Sequence, residues 1–119
     1  TFCTGLLYFL IFFALVYNKI MAPLIQNLQK SDLKTMYKKQ GVSYLGLFGS
    51  FARGEETRQS DIDLLIDFED TKSIFDLADI KLFFQEKLGR KVDLALRGHI
   101  KESLKQYIDK DLVTVYEKS

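Results

Sequence analysis

Hydrophobic and polar residues change period several times along this chain, and each change marks an element. From Pro23 to Gln40, apolar residues recur near three- and four-residue spacing at Ile25, Leu28, Met36 and Tyr37, the pattern of a helix. Ser31-Asp32 divides that stretch into two pieces, and Gly41 supplies a C-terminal stop. Residues 44–48, Tyr-Leu-Gly-Leu-Phe, form a short apolar run between turn-formers and predict a buried strand. From Asp61 to Phe68 the period falls to two. Ile62, Leu64, Ile66 and Phe68 share one side, and Asp61, Asp63, Leu65 and Asp67 share the other. Ser73 to Leu88 returns to helical spacing, with Ser73 and Asp76 placed as a capping box and Gly89 as the stop. Its stripe of Leu77, Ile80, Phe84 and Leu88 reads as core, because it must cover a sheet face. Lys91 to Leu96 alternates again, setting Asp93 opposite Val92, Leu94 and Leu96. A helix near Ile100–Lys110 puts Ile100, Leu104, Tyr107 and Ile108 on one side, and Leu112–Tyr116 favours a last strand.

The order helix, strand, strand, helix, strand, helix, strand predicts an α/β (α+β) domain. A small mixed sheet carries helices on one face and presents its carboxylates on the other, open to substrate. With 119 residues the chain is long enough for one such domain, expected over residues 21–119. Composition changes this picture little. A 47% hydrophobic and 28% charged content is ordinary for a globular protein, and a net charge of +1 gives no global field to recruit nucleic acid or membrane. No basic patch interleaved with aromatics is present, so nucleic acid is not supported as a direct partner. Cys3 and His99 are each the only residue of their kind, which removes intrachain disulfides, Cys/His zinc sites and the usual nucleophile–histidine triads. His99, after Gly98, reads as a turn residue at the surface.

Residues 1–20 stand apart. Thr1 to Tyr17 contains no charged residue and is rich in Leu, Phe and Ile. As a helix it would span about 25 Å, slightly short of a ~30 Å hydrocarbon core. It lacks the basic start and small-residue cleavage site of a signal peptide. A membrane anchor and a partner-facing helix are both open. The expectation is that Met21 is the true start, with the segment not native coding sequence and no membrane role for the protein.

The candidate chemistry lies in one run, Gly49-Ser50-Phe51-Ala52-Arg53-Gly54-Glu55-Glu56-Thr57-Arg58-Gln59-Ser60-Asp61-Ile62-Asp63. Gly49 permits close approach of backbone to a ligand, and Ser50 adds a hydroxyl donor. Phe51, Ala52 and Arg53 could open a helical turn with free N–H groups, and Arg53 offers a forked cation for phosphate. No P-loop and no dinucleotide fingerprint is present. Asp61 and Asp63 would project from one strand face about 6.5–7 Å apart. Like charges so placed repel unless a cation sits between them, and oxygen ligands suit Mg²⁺ or Mn²⁺. If the Asp93 strand is a neighbour, Asp93 completes a three-carboxylate cluster able to hold two metal ions. Asp67, further along, reads as a solubilising charge. The polar loop of residues 54–60 lies between the turn and the carboxylates, where it could sense substrate.

This G-S-x10-D-x-D run, followed by a single Asp on a later strand, resembles the DNA polymerase beta-type nucleotidyltransferase superfamily. G-S-F-A-R-G-E with S-D-I-D-L-L-I-D-F resembles, more narrowly, the minimal nucleotidyltransferases: MntA-type antitoxins paired with HEPN-domain toxins. The resemblance covers roughly Pro23 to Lys118. It implies that Gly49 and Ser50 touch a nucleoside triphosphate, that Asp61 and Asp63 hold metal, and that Asp93 binds the second metal and helps deprotonate the attacking hydroxyl. Arg53 would serve phosphate or local structure. The implied reaction is transfer of AMP from ATP, with two Mg²⁺ ions, to a hydroxyl of a HEPN ribonuclease toxin, with tyrosine the expected acceptor, in the cytoplasm. Three other readings remain open: an antitoxin acting by binding alone, an enzyme that modifies small molecules such as aminoglycosides, and a membrane-tethered interaction protein.

Overall fold

The computed structural model describes residues 22–118, together with Leu7, Tyr8 and Ile11. The expectation for the segment 1–20 otherwise lies outside the described residues. Two helices open the described chain, α1 (Ala22–Leu28) and α2 (Ser31–Gln40). They divide at Gln29-Lys30, one step before the Ser31-Asp32 break expected from sequence. Gly41 takes a left-handed backbone (φ 71°) at the end of α2, and its N–H bonds the carbonyls of Tyr37 and Lys38. The chain then enters β1 (Val42–Phe48), a four-residue helical turn α3 (Ser50–Arg53), and β2 (Ile62–Phe68). Helix α4 (Ile74–Leu88) begins with the expected capping box. Ser73 Oγ accepts from the Asp76 N–H, and the Asp76 carboxylate accepts from the Ser73 N–H. Strand β3 (Val92–Leu96), a 3₁₀ turn (Arg97–His99), α5 (Glu102–Asp111) and β4 (Val113–Glu117) complete the order.

The sheet is mixed and runs β3-β2-β1-β4. β1 pairs antiparallel with β2 and β4, whereas β2 and β3 are parallel and joined across α4. On one face Leu45, Leu47, Ile62, Leu64, Ile66 and Val92 meet Leu28 of α1, Leu33 and Tyr37 of α2, and Ile80 and Phe84 of α4. The Tyr37 ring lies 4.9 Å from that of Tyr116, centroid to centroid, and its hydroxyl donates to the Leu28 carbonyl at 2.6 Å. Burial raises the Tyr37 phenol pKa well above its ordinary value, with the Asp32 charge a smaller cause.

Helix α5 departs from this one-sided arrangement. Leu104 and Tyr107 remain exposed on it, and together with Ile108 they line a cleft whose other wall carries Asp63 and Asp93. The carboxylate face of the sheet is therefore flanked rather than fully open. The same face is tight elsewhere. A side chain at Gly46 would come within 2.6 Å of Leu112 Cδ1 and 2.8 Å of the Tyr44 hydroxyl, which itself bonds Thr114 Oγ1 at 3.0 Å.

Candidate active site

Alternation along β2 turns Asp63 away from the core formed by Ile62 and Leu64, and alternation along β3 does the same for Asp93. The parallel register makes Asp63 and Asp93 direct partners on neighbouring strands, whose backbones lie about 4.8 Å apart. Antiparallel pairing brings Phe48, the last residue of β1, opposite Asp63 from the other side. The next residue is Gly49, so the turn after β1 falls beside the carboxylates because of strand register.

Gly49 adopts φ 78° and ψ −155°, a backbone region essentially reserved for glycine. A Cβ there would collide with the Asp63 carboxylate. Two independent facts thus require glycine at this position: the backbone angle and the contact. Ser50 begins α3 directly after it. Phe48, Gly49, Ser50, Arg53, Asp63 and Asp93 line the same cleft of about 800 Å³, a size suited to a small-molecule ligand.

Asp61 stands one residue ahead of β2 and outside the residues that line the cleft, although its charge reaches Asp63. Its loop is pinned from below. Arg90 Nη1 donates to the carbonyl oxygens of Thr57 (3.0 Å) and Ser60 (3.2 Å), and the guanidinium lies 5.1 Å from the Phe51 ring of α3. Arg90 thereby ties the Gly49-Ser50 turn to the approach to Asp61. None of residues 54–60 lines the cleft, so the expected substrate-sensing role of that loop has no support in this geometry.

The electrostatics of the site are unbalanced. Loss of hydration raises the Asp63 carboxyl pKa above its ordinary value, and the neighbouring negative charges of Asp93 and Asp61 raise it further. Arg53 acts in the opposite sense but is committed elsewhere. Its Nη1 donates to Asp111 Oδ2 and its Nε to Glu55 Oε2, both at 2.9 Å, and these bonds raise its own pKa. Arg53 therefore joins α3 to the end of α5 while lining the cleft itself. Among the described residues, no lysine or arginine forms an ion pair with Asp61, Asp63 or Asp93. Hard oxygen donors that repel one another and lack a cation fit Mg²⁺ or Mn²⁺. Among the described residues, no three His, Cys, Asp or Glu side chains are already arranged to hold an ion. The donor set is present and the closed cage is not.

Sequence reasoning expected Gly49, Ser50, Arg53, Asp61, Asp63 and Asp93 at one site, and all of these but Asp61 line the cleft. It missed the second wall: Leu104, Tyr107, Ile108, Lys110 and Asp111. The signal was the apolar stripe on α5, which has the spacing of a core helix. Nothing in that spacing says whether a stripe faces core or cleft.

The Nucleotidyltransferase domain family model matches residues 27–116. Protein adenylyltransferase MntA of Thermococcus cleftensis is 30% identical over 91 residues, covering 76% of this chain and 92% of the relative. A crystal structure of a toxin–antitoxin with AMP-PNP superposes with a TM-score of 0.65 at 20% identity, covering 77% of this chain and 76% of that one. A tri-AMPylated Shewanella oneidensis HEPN toxin in complex with MNT antitoxin supplies another likeness. Its TM-score is 0.52 at 20% identity, covering 88% of this chain and 72% of that one. At these identities the two superpositions speak to fold alone, while the family match and the Thermococcus relative speak to descent. Among the described residues, no helix is long and apolar enough to cross a membrane. With the family model spanning residues 27–116 and the Thermococcus relative covered over most of its length, this chain belongs to the nucleotidyltransferase domain family.

Proposed function

We propose that this chain transfers AMP from ATP to a hydroxyl, expected to be a tyrosine, of a HEPN ribonuclease toxin, and that the transfer silences the toxin. The observation that carries the reading is the in-register pair Asp63–Asp93 beside Gly49-Ser50 at the mouth of one cleft. The MntA relative and the toxin–antitoxin likenesses support the choice of nucleotide and partner. ATP supply makes the cytoplasm the natural location.

In this reading Gly49 and Ser50 seat the β- and γ-phosphates, with the Asp63 carboxylate against Gly49. Asp61 and Asp63 are the ligands for divalent metal, and Asp93 completes the donor set. Bound Mg²⁺ would neutralise the polyphosphate and the leaving pyrophosphate. Asp93 takes the proton from the acceptor hydroxyl as its oxygen bonds the α-phosphorus. The bond from that phosphorus to the β-phosphate bridging oxygen breaks, and pyrophosphate departs. Arg53 holds the end of α5 against α3 and keeps the cleft's two walls in place.

Incubation of the chain with the HEPN protein of the neighbouring reading frame, ATP and Mg²⁺ tests the proposal by intact mass. The partner should gain the mass of one or more AMP groups, and Asp63→Ala should reduce the rate by at least roughly a hundredfold. An unshifted partner mass with the unaltered chain overturns transfer. Neutralisation that survives Asp61→Ala and Asp63→Ala without any mass gain would assign the protein to inhibition by contact.

A further inference from the structure

The cleft is chemically two-sided. One wall holds carboxylates and a glycine turn, and the other is the apolar side of α5. Leu104 is 53% exposed and Tyr107 is 75% exposed, with Ile108 beside them, and no element among the described residues covers them. A stripe at that spacing would ordinarily be buried against a core. Here it faces the same 800 Å³ space as Asp63 and Asp93.

We propose that α5 is the nucleobase shelf of the cleft, with Tyr107 as the stacking ring, and that the shelf selects purines by area rather than by reading the edge of the base. The inference rests on the nucleotidyltransferase reading of the carboxylate wall and extends it to substrate choice. A nucleoside triphosphate is itself two-sided, with an anionic tail and a flat, weakly polar base. Seating the tail at Gly49-Ser50 leaves the base on the α5 side, since the two walls enclose one continuous space. The residues lining the cleft include no asparagine or glutamine, the side chains that read an adenine edge with paired hydrogen bonds. Of the charged groups on α5 that reach the cleft, Asp111 is already bonded to Arg53, and Lys110 offers a flexible, donor-only ammonium rather than a paired donor and acceptor. Stacking accepts any base in proportion to its surface, whereas sites that reject a near-isostere by large factors do so through buried hydrogen bonds left unpaired. Tyr107 is therefore a specificity-determining residue, setting purine over pyrimidine while leaving adenine and guanine nearly equal.

Calorimetric titration of the full chain with ATP, GTP, CTP and UTP in Mg²⁺ tests this without reference to turnover. ATP and GTP should bind within about fivefold of each other, and both more tightly than the pyrimidines. Tyr107→Ala should weaken purine binding roughly 5- to 100-fold, and Tyr107→Phe should retain it. Because Tyr107 is exposed, neither change should lower the melting temperature. Unaltered ATP affinity in Tyr107→Ala overturns the shelf; should that variant instead lose the HEPN partner, α5 is a protein-docking surface. Preference for ATP over GTP beyond about a hundredfold also overturns it, since that demands edge recognition. If the unaltered chain binds no triphosphate at all, the nucleotidyltransferase reading itself fails and takes the shelf with it.

Discussion

Asp63 is the residue on which structure and chemistry pull in opposite directions. It is half-buried beside Asp93, and its carboxyl pKa is raised in the folded state by desolvation first and by Asp93 and Asp61 next. A carboxyl whose folded pKa exceeds its unfolded one binds the proton more tightly when folded. Its ionisation therefore destabilises the domain as pH climbs from the ordinary carboxylate pKa through the raised one, and the cost persists at neutral pH. Asp63→Asn removes that repulsion. It should raise the metal-free melting temperature at pH 7 by about 2–5 °C, the equivalent of ~0.5–1 kcal/mol after allowance for solvent screening. At pH 3, where both states are largely protonated, variant and parent should melt closer together. A variant that melts at or below the parent at pH 7 contradicts the electrostatic account. Gly49 makes the complementary case. Gly49→Ala faces a left-handed backbone and the Asp63 carboxylate together, so a loss of about 1–3 kcal/mol is expected. Chemical denaturation would show it. Of these features, glycine and the acidic residues were legible as letters, while the contact between Gly49 and Asp63 was not, because it depends on strand register.

Elements were read from the sequence with different success for definite reasons. Helix α4 was legible almost to the residue, since Ser73 and Asp76 fix its start by mutual hydrogen bonds and Gly89 fixes its end with φ 67°. Ser73→Ala should cost about 1 kcal/mol, measured by denaturation, without altering nucleotide affinity. Boundaries that rest only on pairing were less exact. β1 begins at Val42 rather than Tyr44, and its ladder to β2 shifts register between those two residues. β2 begins at Ile62, which leaves Asp61 in the loop, because the strand pattern cannot say where hydrogen bonding starts. β4 is displaced one residue from the expected span. Arg90 shows the same limit. Its reach to carbonyl oxygens 30 and 33 residues away is a long-range fact with no local signature.

At the scale of the molecule, the architecture followed from the order of elements and the two apolar periods. A small mixed sheet has α1, α2 and α4 over one face, where the core gathers apolar residues from all four strands. Position of α5 was the part that did not follow. A stripe of Leu104, Tyr107 and Ile108 would serve a core or a ligand equally, and only the assembled sheet decides. Its placement turns an exposed face into a cleft with a charged wall and an apolar wall, joined at the Arg53–Asp111 bond. That arrangement sets the candidate site between the sheet and its flanking helix.

In the proposed reaction Asp61, Asp63 and Asp93 together grip divalent ions next to Gly49-Ser50. Electron paramagnetic resonance of Mn²⁺, in the presence of a non-hydrolysable ATP analogue, reads that grip. The free-ion signal should fall as the unaltered chain is added, and Asp63→Asn and Asp93→Asn should each restore it, with little change in the fold. Equal loss of signal by the parent and by both variants would contradict the account.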